Sequence, residues 1–221
     1  MDGYLNMKIV DVEKWDRKVP YENFITYTNP IFSLTATIDV TKLYAYGKTY
    51  GRSFFIDFLY IALRSINEIE QMRIRLCGDD VVIFDKIDAS FIVMNNDGVI
   101  NTCNVGYDKN YNTFYDKVSR AIEIARKTNQ EKFNDVIKTD LIYVSAIKWL
   151  DFTSMSNPYD FNNKEACSIP RITWGKITDK DGRKNIPLDI AAHHALVDGY
   201  PVATVFEKIQ KYIDEMNFTA D

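Results

Sequence analysis

One segment constrains the fold of this chain more than any other. Residues 53–69, SFFIDFLYIALRSINEI, have helical spacing and are apolar nearly all round the helix. A helix of this kind is stable only when other elements cover it on every side. Ser53 suits the N-cap position, so the helix is predicted to begin there. The rest of the chain must therefore supply layers that bury this helix.

The segments around it carry strand and helix patterns in mixed order. Strands are predicted at 31–40, 72–78, 81–85, 89–95, 98–106, 141–149, 170–177 and 185–194, and helices at 19–27, 42–48, 112–128 and from Gly199 onward. Hairpin-like runs of strands with helices between them indicate an α+β fold, in which a mixed, largely antiparallel sheet packs against helices. We expect one domain over residues 1–221.

Composition and charge argue against several classes of partner. The net charge is −4 and no basic stripe stands out, so we expect no nucleic-acid partner. No apolar run reaches the 18 or so residues of a membrane span, so we expect no membrane partner. The three cysteines, Cys77, Cys103 and Cys167, are far apart and form no paired motif. That usage is typical of a reducing cytoplasm.

The two histidines, His193 and His194, are adjacent and precede Asp198-Gly199. Neighbours on a strand face opposite sides, and no third histidine is available, so we expect no metal site. The chain has no G-x-S-x-G elbow for a serine hydrolase. Two interpretations remain: a structural histidine, or one histidine acting alone as a general base. The position, where a strand turns into a helix, favours the base.

Several motifs then carry a family resemblance. HHALVDGYPVATVFEKIQKYIDEM resembles the C-terminal active-site segment of the chloramphenicol acetyltransferase family, whose pattern is His-His-(Ser/Ala)-x-x-Asp-Gly-(Phe/Tyr). EKWDRKVP, FSLTATIDVT, WLDFTS and PRITWGK resemble further family segments in the same order. The resemblance runs from about Met7 to Met216 and implies a CoA-dependent acyltransferase fold, a two-layer sandwich. It also implies a homotrimer with its sites at subunit interfaces.

The implied reaction moves the acetyl group of acetyl-CoA to a hydroxyl of chloramphenicol in a ternary complex. Acetyl-CoA would be a co-substrate, and no cofactor would be bound permanently. The resemblance implies that His194 is the general base and that its ring is held by its own backbone carbonyl. Asp198 and Arg17 would form a buried ion pair that fixes the backbone of the site.

The resemblance also implies roles for residues in two further motifs. Ser154 would stabilise the oxyanion and contact CoA, although FTSMSNP also suits a simple turn. Thr173 would act through an ordered water, although β-propensity alone explains a threonine there. Lys176 and Arg52 are candidate CoA contacts, the latter because Ser53 stands where a lysine is common in the family.

The acceptor pocket is where the chain departs from the family. Phe24, Ile31, Phe32 and Met94 are its candidate lining residues, but Met94 replaces a family landmark, and Ala191-Ala192 replaces the usual Gln plus aliphatic. The same transfer to a different hydroxyl acceptor therefore stays open. A non-catalytic trimeric binding protein is a further alternative, which the joint presence of four site residues argues against: Arg17, Ser154, His194 and Asp198.

Overall fold

The computed structural model describes residues 6–128 and 138–216 of the chain. The strands in these ranges are β1 (Met7–Ile9), β2 (Ile31–Asp39), β3 (Ile74–Cys77), β4 (Asp80–Phe84), β5 (Asp88–Met94), β6 (Ile100–Val105), β7 (Leu141–Ala146), β8 (Arg171–Trp174), β9 (Thr178–Lys180) and β10 (Arg183–His193). The helices are α1 (Lys18–Phe24), α2 (Thr41–Tyr50), α3 (Phe54–Asn67), α4 (Tyr111–Lys127), α5 (Lys164–Ser168) and α6 (Gly199–Glu215). The predicted domain, 1–221, also includes residues 1–5, 129–137 and 217–221, which lie outside the described ranges.

The larger sheet has the strand order β2-β10-β8-β7-β5-β6, with β9 paired to β10. β10 is antiparallel to both of its main neighbours, β2 and β8, whereas β7 is parallel to β5 and to β8. A smaller antiparallel sheet has the order β1-β4-β3. The predicted α+β fold with a mixed, largely antiparallel sheet is therefore confirmed.

α3 is the buried helix that the sequence predicts. Ten of its fourteen residues are buried, and Phe58 packs on Trp174 of β8 with ring centroids 4.9 Å apart. α6 presents the predicted apolar face, with Val202, Val205 and Ile209 fully buried. These helices cover the face of the sheet that carries the even-numbered residues of β10, so the sheet and helices form two layers around one core.

The observed strand ends differ from the predicted ones where turn residues end a strand. The prediction over 170–177 ends early at Trp174, and a separate hairpin of β9 and β10 follows. Asp181 and Gly182 connect this hairpin with φ angles of +54° and +76°. Positive φ at both central residues defines a type I′ turn, for which Asp-Gly is a preferred dipeptide. The sequence pattern did not predict β1, β9 or α5, which are only three to five residues long.

Within residues 6–128 and 138–216, no helix is both long and apolar enough to cross a bilayer. The described residues also contain no group of three or more His, Cys, Asp or Glu side chains placed to hold a metal ion.

Candidate active site

The end of β10 places the two histidines on opposite faces of the sheet. β10 pairs with β2 up to His193, which lies opposite Ile31, and the His194 N–H still donates to the Pro30 carbonyl at 2.8 Å. The chain then turns, since the N–H groups of Leu196 and Val197 both donate to the His193 carbonyl. α6 begins directly afterwards, with Asp198 at its N-cap position. A rigid strand end thus carries the imidazole of His194.

His193 is the inward histidine. Its side chain is buried, and its Nδ1 accepts a hydrogen bond from the Ala195 N–H at 3.2 Å. Burial, followed by the charge of His194, lowers the pKa of His193 to about 4. The ring is therefore neutral near pH 7 and fixes the turn. The two adjacent histidines therefore have different surroundings, and His193 is the buried one.

His194 is held between two aromatic rings and remains partly open to solvent. Its ring stacks on Phe24 with centroids 4.0 Å apart and planes 8° apart, and Phe32 lies at 4.7 Å. The side chain is 33% exposed, while its Nδ1 is buried. The exposed part of the ring is therefore the edge away from Nδ1, which carries Nε2. An imidazole with a free nitrogen at a fixed angle can accept a proton from a bound hydroxyl.

Arg17 fixes the backbone around this ring. It stands at the N-cap position of α1, whose last residue is Phe24, so one short helix positions both residues. The guanidinium donates to two backbone carbonyls, that of Ala195 through Nε at 3.0 Å and that of His194 through Nη2. It also donates to both carboxylate oxygens of Asp198, to Oδ1 through Nη2 at 2.8 Å and to Oδ2 through Nη1. This pairing of Arg17 with Asp198 has the bidentate form typical of arginine and carboxylate.

Two details of this cluster differ from the expectations. The Arg17 side chain is 12% exposed, but that of Asp198 is 49% exposed, so the ion pair is only half buried. The His194 carbonyl accepts from Arg17, and the ring Nδ1 has no hydrogen-bond partner among the described residues. Nδ1 lies 3.4 Å from Asp198 Oδ1 without hydrogen-bond geometry. The carboxylate is therefore placed to stabilise positive charge on the ring.

Ser154, Thr173 and Lys176 belong to a second region, around the end of β8. Thr173 is buried and lies opposite Asp189 of β10. His194 follows the end of β10, five residues beyond Asp189 or about 16 Å along the strand direction, and by alternation it belongs to the other face of the sheet. The structure therefore brings His194 together with Arg17, Asp198, Phe24 and Phe32, and keeps it apart from Thr173 within one chain.

The second region depends on a glycine between Thr173 and Lys176. A Cβ on Gly175 would lie 2.5 Å from Pro187 Cγ and 2.7 Å from the Leu150 carbonyl oxygen. The Lys176 N–H also donates to that carbonyl at 2.9 Å. Absence of a side chain at Gly175 lets the loop that carries Ser154 pack against the end of β8. The side chains of Ser154 and Lys176 are both exposed.

The remaining predicted residues lie at other edges of the structure. Arg52 precedes α3 and stacks on the Tyr115 ring, with its guanidinium carbon 4.0 Å from the centroid. Met94 ends β5 and is 50% exposed, on the same sheet face as Ile92 and opposite Ile100. Ile31 begins β2 beside His193 and is partly buried.

The sequence reasoning missed two buried acids. Asp189 is fully buried, accepts a hydrogen bond from the Thr35 hydroxyl at 2.6 Å, and has its pKa raised by burial. Asp57 is fully buried within α3 and accepts from the Tyr111 hydroxyl at 2.6 Å. In both places an acid interrupts an otherwise apolar segment, and this interruption in the sequence could have indicated a buried acid.

The sheet with its one helical layer is a fold that other proteins share. A dihydrolipoamide acetyltransferase of Azotobacter vinelandii superposes with a TM-score of 0.65 at 15% identity, over 92% of this chain and 88% of that chain, and therefore has a similar fold. A family model described as "Chloramphenicol acetyltransferase" matches residues 5–210. The chain belongs to the chloramphenicol acetyltransferase family.

Individual relatives agree with this assignment. A chloramphenicol acetyltransferase of Proteus mirabilis is 29% identical over 210 residues, which cover 94% of each chain. A solved chloramphenicol acetyltransferase structure superposes with a TM-score of 0.83 at 27% identity and covers 94% of this chain and 99% of that one. The similarity therefore extends through the whole catalytic fold of the relatives.

Proposed function

We propose that this chain transfers the acetyl group of acetyl-CoA to a hydroxyl of chloramphenicol, with His194 as the general base. Membership of the family supports the reaction. The observation that carries the role of His194 is its partly exposed ring, held at a rigid strand end beside a neighbour that is buried and neutral. The protein is thus an acetyl-CoA-dependent O-acetyltransferase, and chloramphenicol is inactivated by acetylation.

The reaction needs only proton transfer and charge stabilisation from the protein. His194 Nε2 takes the proton of the acceptor hydroxyl as its oxygen attacks the thioester carbon of acetyl-CoA. The resulting oxyanion is stabilised by the Ser154 hydroxyl, as a single well-placed donor can do. The C–S bond then breaks, and the proton on the imidazolium passes to the sulfur, which gives CoA and the acetyl ester. No acyl-enzyme forms in this sequence.

Arg17 and Asp198 support the base through geometry and charge. Arg17 holds the carbonyls of His194 and Ala195, so the ring cannot move with a flexible turn. Asp198 lies near Nδ1, the nitrogen that carries a proton while Nε2 acts as the base. A nearby carboxylate favours the imidazolium that forms during proton transfer.

We also propose a homotrimer in which each site lies between two subunits. His194 and Thr173 are on opposite faces of the sheet of one chain, so one chain cannot apply both to the same substrate. Three apolar side chains on one face of the sheet, Ile92, Met94 and Ile100, are exposed in the single chain, as expected of a surface that another subunit covers. His194 of one subunit would then face Ser154 and Thr173 of the next.

Further contacts complete the proposal. Ser154, Lys176 and Arg52 contact acetyl-CoA, while Phe24, Ile31, Phe32 and Met94 line the acceptor pocket. Acetyl-CoA is a co-substrate, and the protein needs no permanently bound cofactor. We expect one domain over 1–221 that works in the cytoplasm, where the three free cysteines suit a reducing environment.

The test is the release of the CoA thiol from acetyl-CoA, followed colorimetrically with and without chloramphenicol. Release that depends on chloramphenicol and is lost in His194→Ala establishes the reaction and the acceptor. Release with another hydroxyl compound but not with chloramphenicol would support the mechanism with a different acceptor. The differences from the family pattern at Ala191 and Met94 are consistent with that outcome. No release with any acceptor refutes the proposed activity.

A further inference from the structure

A chain of hydrogen bonds leads from the buried part of α3 to Arg52 at the surface. Asp57 lies within the apolar helix and is fully buried. The Tyr111 hydroxyl, at the start of α4, donates to Asp57 Oδ1 at 2.6 Å. The oxygen of the same hydroxyl accepts from Arg52 Nε at 3.2 Å. The three side chains therefore connect in the order Asp57, Tyr111, Arg52.

The donor and acceptor of each of these hydrogen bonds follow from the number of protons that each group carries. A phenol has a single proton, and Tyr111 gives it to Asp57, so its lone pairs are left for Arg52. Burial raises the pKa of Tyr111 above its ordinary value, so the hydroxyl keeps that proton. Burial also raises the pKa of Asp57 to about 6, so the carboxylate is ionised and only accepts above that pH. Near neutral pH, the lone pairs of Tyr111 are therefore fixed toward Arg52.

Arg52 is held on several sides but keeps one edge unpaired. Its Nη2 donates to Asn112 Oδ1 at 3.0 Å, and the guanidinium carbon lies 4.0 Å and 5.0 Å from the ring centroids of Tyr115 and Tyr111. Its backbone N–H donates to the Gly47 carbonyl at 2.9 Å. Within 6–128 and 138–216, Nη1 has no hydrogen-bond partner, and no carboxylate lies within ion-pair distance of Arg52, although the charge of Asp57 acts on it through Tyr111.

We propose that Asp57 and Tyr111 are positioning residues that hold Arg52 as an anchor for a phosphate group of acetyl-CoA. A guanidinium that is fixed in its plane, partly exposed and without a direct ion pair can donate from its free Nη1 to a phosphate. Preorganisation lowers the entropy that the arginine loses on binding. The inference rests on the proposed function, because that function supplies the phosphate-bearing ligand.

The test compares Tyr111→Phe with the wild-type protein in steady-state assays. The variant keeps the ring but loses the acceptor for Arg52 Nε, so KM for acetyl-CoA should rise about 3-fold to 10-fold, in line with one lost hydrogen bond. kcat and KM for chloramphenicol should stay unchanged. In an Arg52→Ala background, Tyr111→Phe should add nothing further, because the two residues act as one unit.

A donor without phosphates separates positioning from a general structural effect. With S-acetylpantetheine as the donor, Tyr111→Phe and the wild type should have the same KM. Tyr107→Phe is the matched control, since this half-buried phenol contacts Tyr60 and Phe114 rather than Arg52, and it should leave KM for acetyl-CoA unchanged. An unchanged KM for acetyl-CoA in Tyr111→Phe, or an equal defect with S-acetylpantetheine, overturns the proposal.

Calorimetric titration with CoA makes the test independent of turnover. The expected result is weaker binding of CoA to Tyr111→Phe, with equal binding of pantetheine to both proteins. If the wild type binds CoA in this manner but transfers no acetyl group, the proposed function fails and the positioning role stands. Equal affinity of both proteins for CoA overturns the positioning role, whatever the activity.

Discussion

The two regions that hold the predicted site residues differ in how their buried polar groups are paired. At the end of β10, Arg17 makes hydrogen bonds to both oxygens of Asp198 and to two backbone carbonyls. Around the end of β8, Asp189 Oδ2, Thr173 Oγ1 and the Tyr159 hydroxyl are buried with no hydrogen-bond partner within the described residues. In the first region only His194 Nδ1 is buried without a hydrogen-bond partner among the described residues, whereas the second region has three such atoms.

This difference bears on where the site is assembled. Folded proteins leave few buried polar groups unpaired, so a cluster of them on one face of a sheet calls for a physical reason. These atoms are already buried within one chain, so an ordered internal water is the partner that fits there. The base is held by residues of its own chain, whereas the proposed trimer would bring a second subunit over the exposed Ser154 beside this cluster. Five predictions test this contrast.

The largest effect is expected for His194→Ala. Loss of the base should lower kcat by about 10² to 10⁴, since general base catalysis typically contributes that much. The melting temperature should change little, because the backbone contacts of Arg17 do not use the ring. His193→Ala is the matched control: it removes the buried acceptor for the Ala195 N–H and should lower the melting temperature more than His194→Ala does. Near-normal turnover of His194→Ala would remove it as the base.

Ser154→Ala is the counterpart in the second region. Loss of one oxyanion donor should lower kcat by about 10² to 10³ with little change in KM for the acceptor. Because the side chain is exposed, thermal stability should be that of the wild type. If acceptor binding suffered and kcat did not, Ser154 would be a substrate contact instead.

A mixture of the two inactive variants tests whether the regions meet across subunits. Refolding His194→Ala and Ser154→Ala together in equal amounts should return about a quarter of wild-type activity, since that share of interfaces joins two intact halves in a closed ring. Each variant refolded alone is the control and should stay inactive. No recovery from mixed assemblies would place both residues in one subunit's site.

The sequence predicts the first region better than the second. The apolar pattern of α3 and the alternation along β10 suffice for the core and for the opposite orientation of His193 and His194. Arg17 and Asp198 are far apart in sequence, and no local pattern joins them, so only the family resemblance pairs them. The pairing of Asp57 with Tyr111 also depends on contacts between distant segments, which periodicity does not encode.

Asp198→Ala is expected to have a smaller, thermodynamic effect. It leaves the largely buried guanidinium of Arg17 without its carboxylate, and breaking a fully buried pair costs about 3–5 kcal/mol. Because Asp198 is half exposed, we expect about 2 kcal/mol of lost unfolding free energy, within the range of single mutations. Denaturant unfolding measures this directly, and Lys14→Ala, which breaks an exposed pair with Asp11, is the control with little expected change. An unchanged unfolding curve for Asp198→Ala would contradict a stabilising role of the ion pair between Arg17 and Asp198.

The smallest effect is expected for Asp189→Asn, and its sign depends on pH. Burial raises the pKa of Asp189 above its ordinary value of 3.8, so the folded protein holds this proton more tightly than the unfolded chain does. The wild type therefore loses stability as the pH rises through 3.8 toward the folded pKa, and the full loss remains above it. Asparagine has no such titration, keeps an acceptor for Thr35 and adds a donor that can reach Thr173 across the strand pair. Melting curves should thus show that the stability of Asp189→Asn relative to the wild type is greater at pH 7 than at pH 4. A difference that is the same at both pH values would mean that the second region already neutralises this carboxylate, and the contrast between the two regions would then be lost.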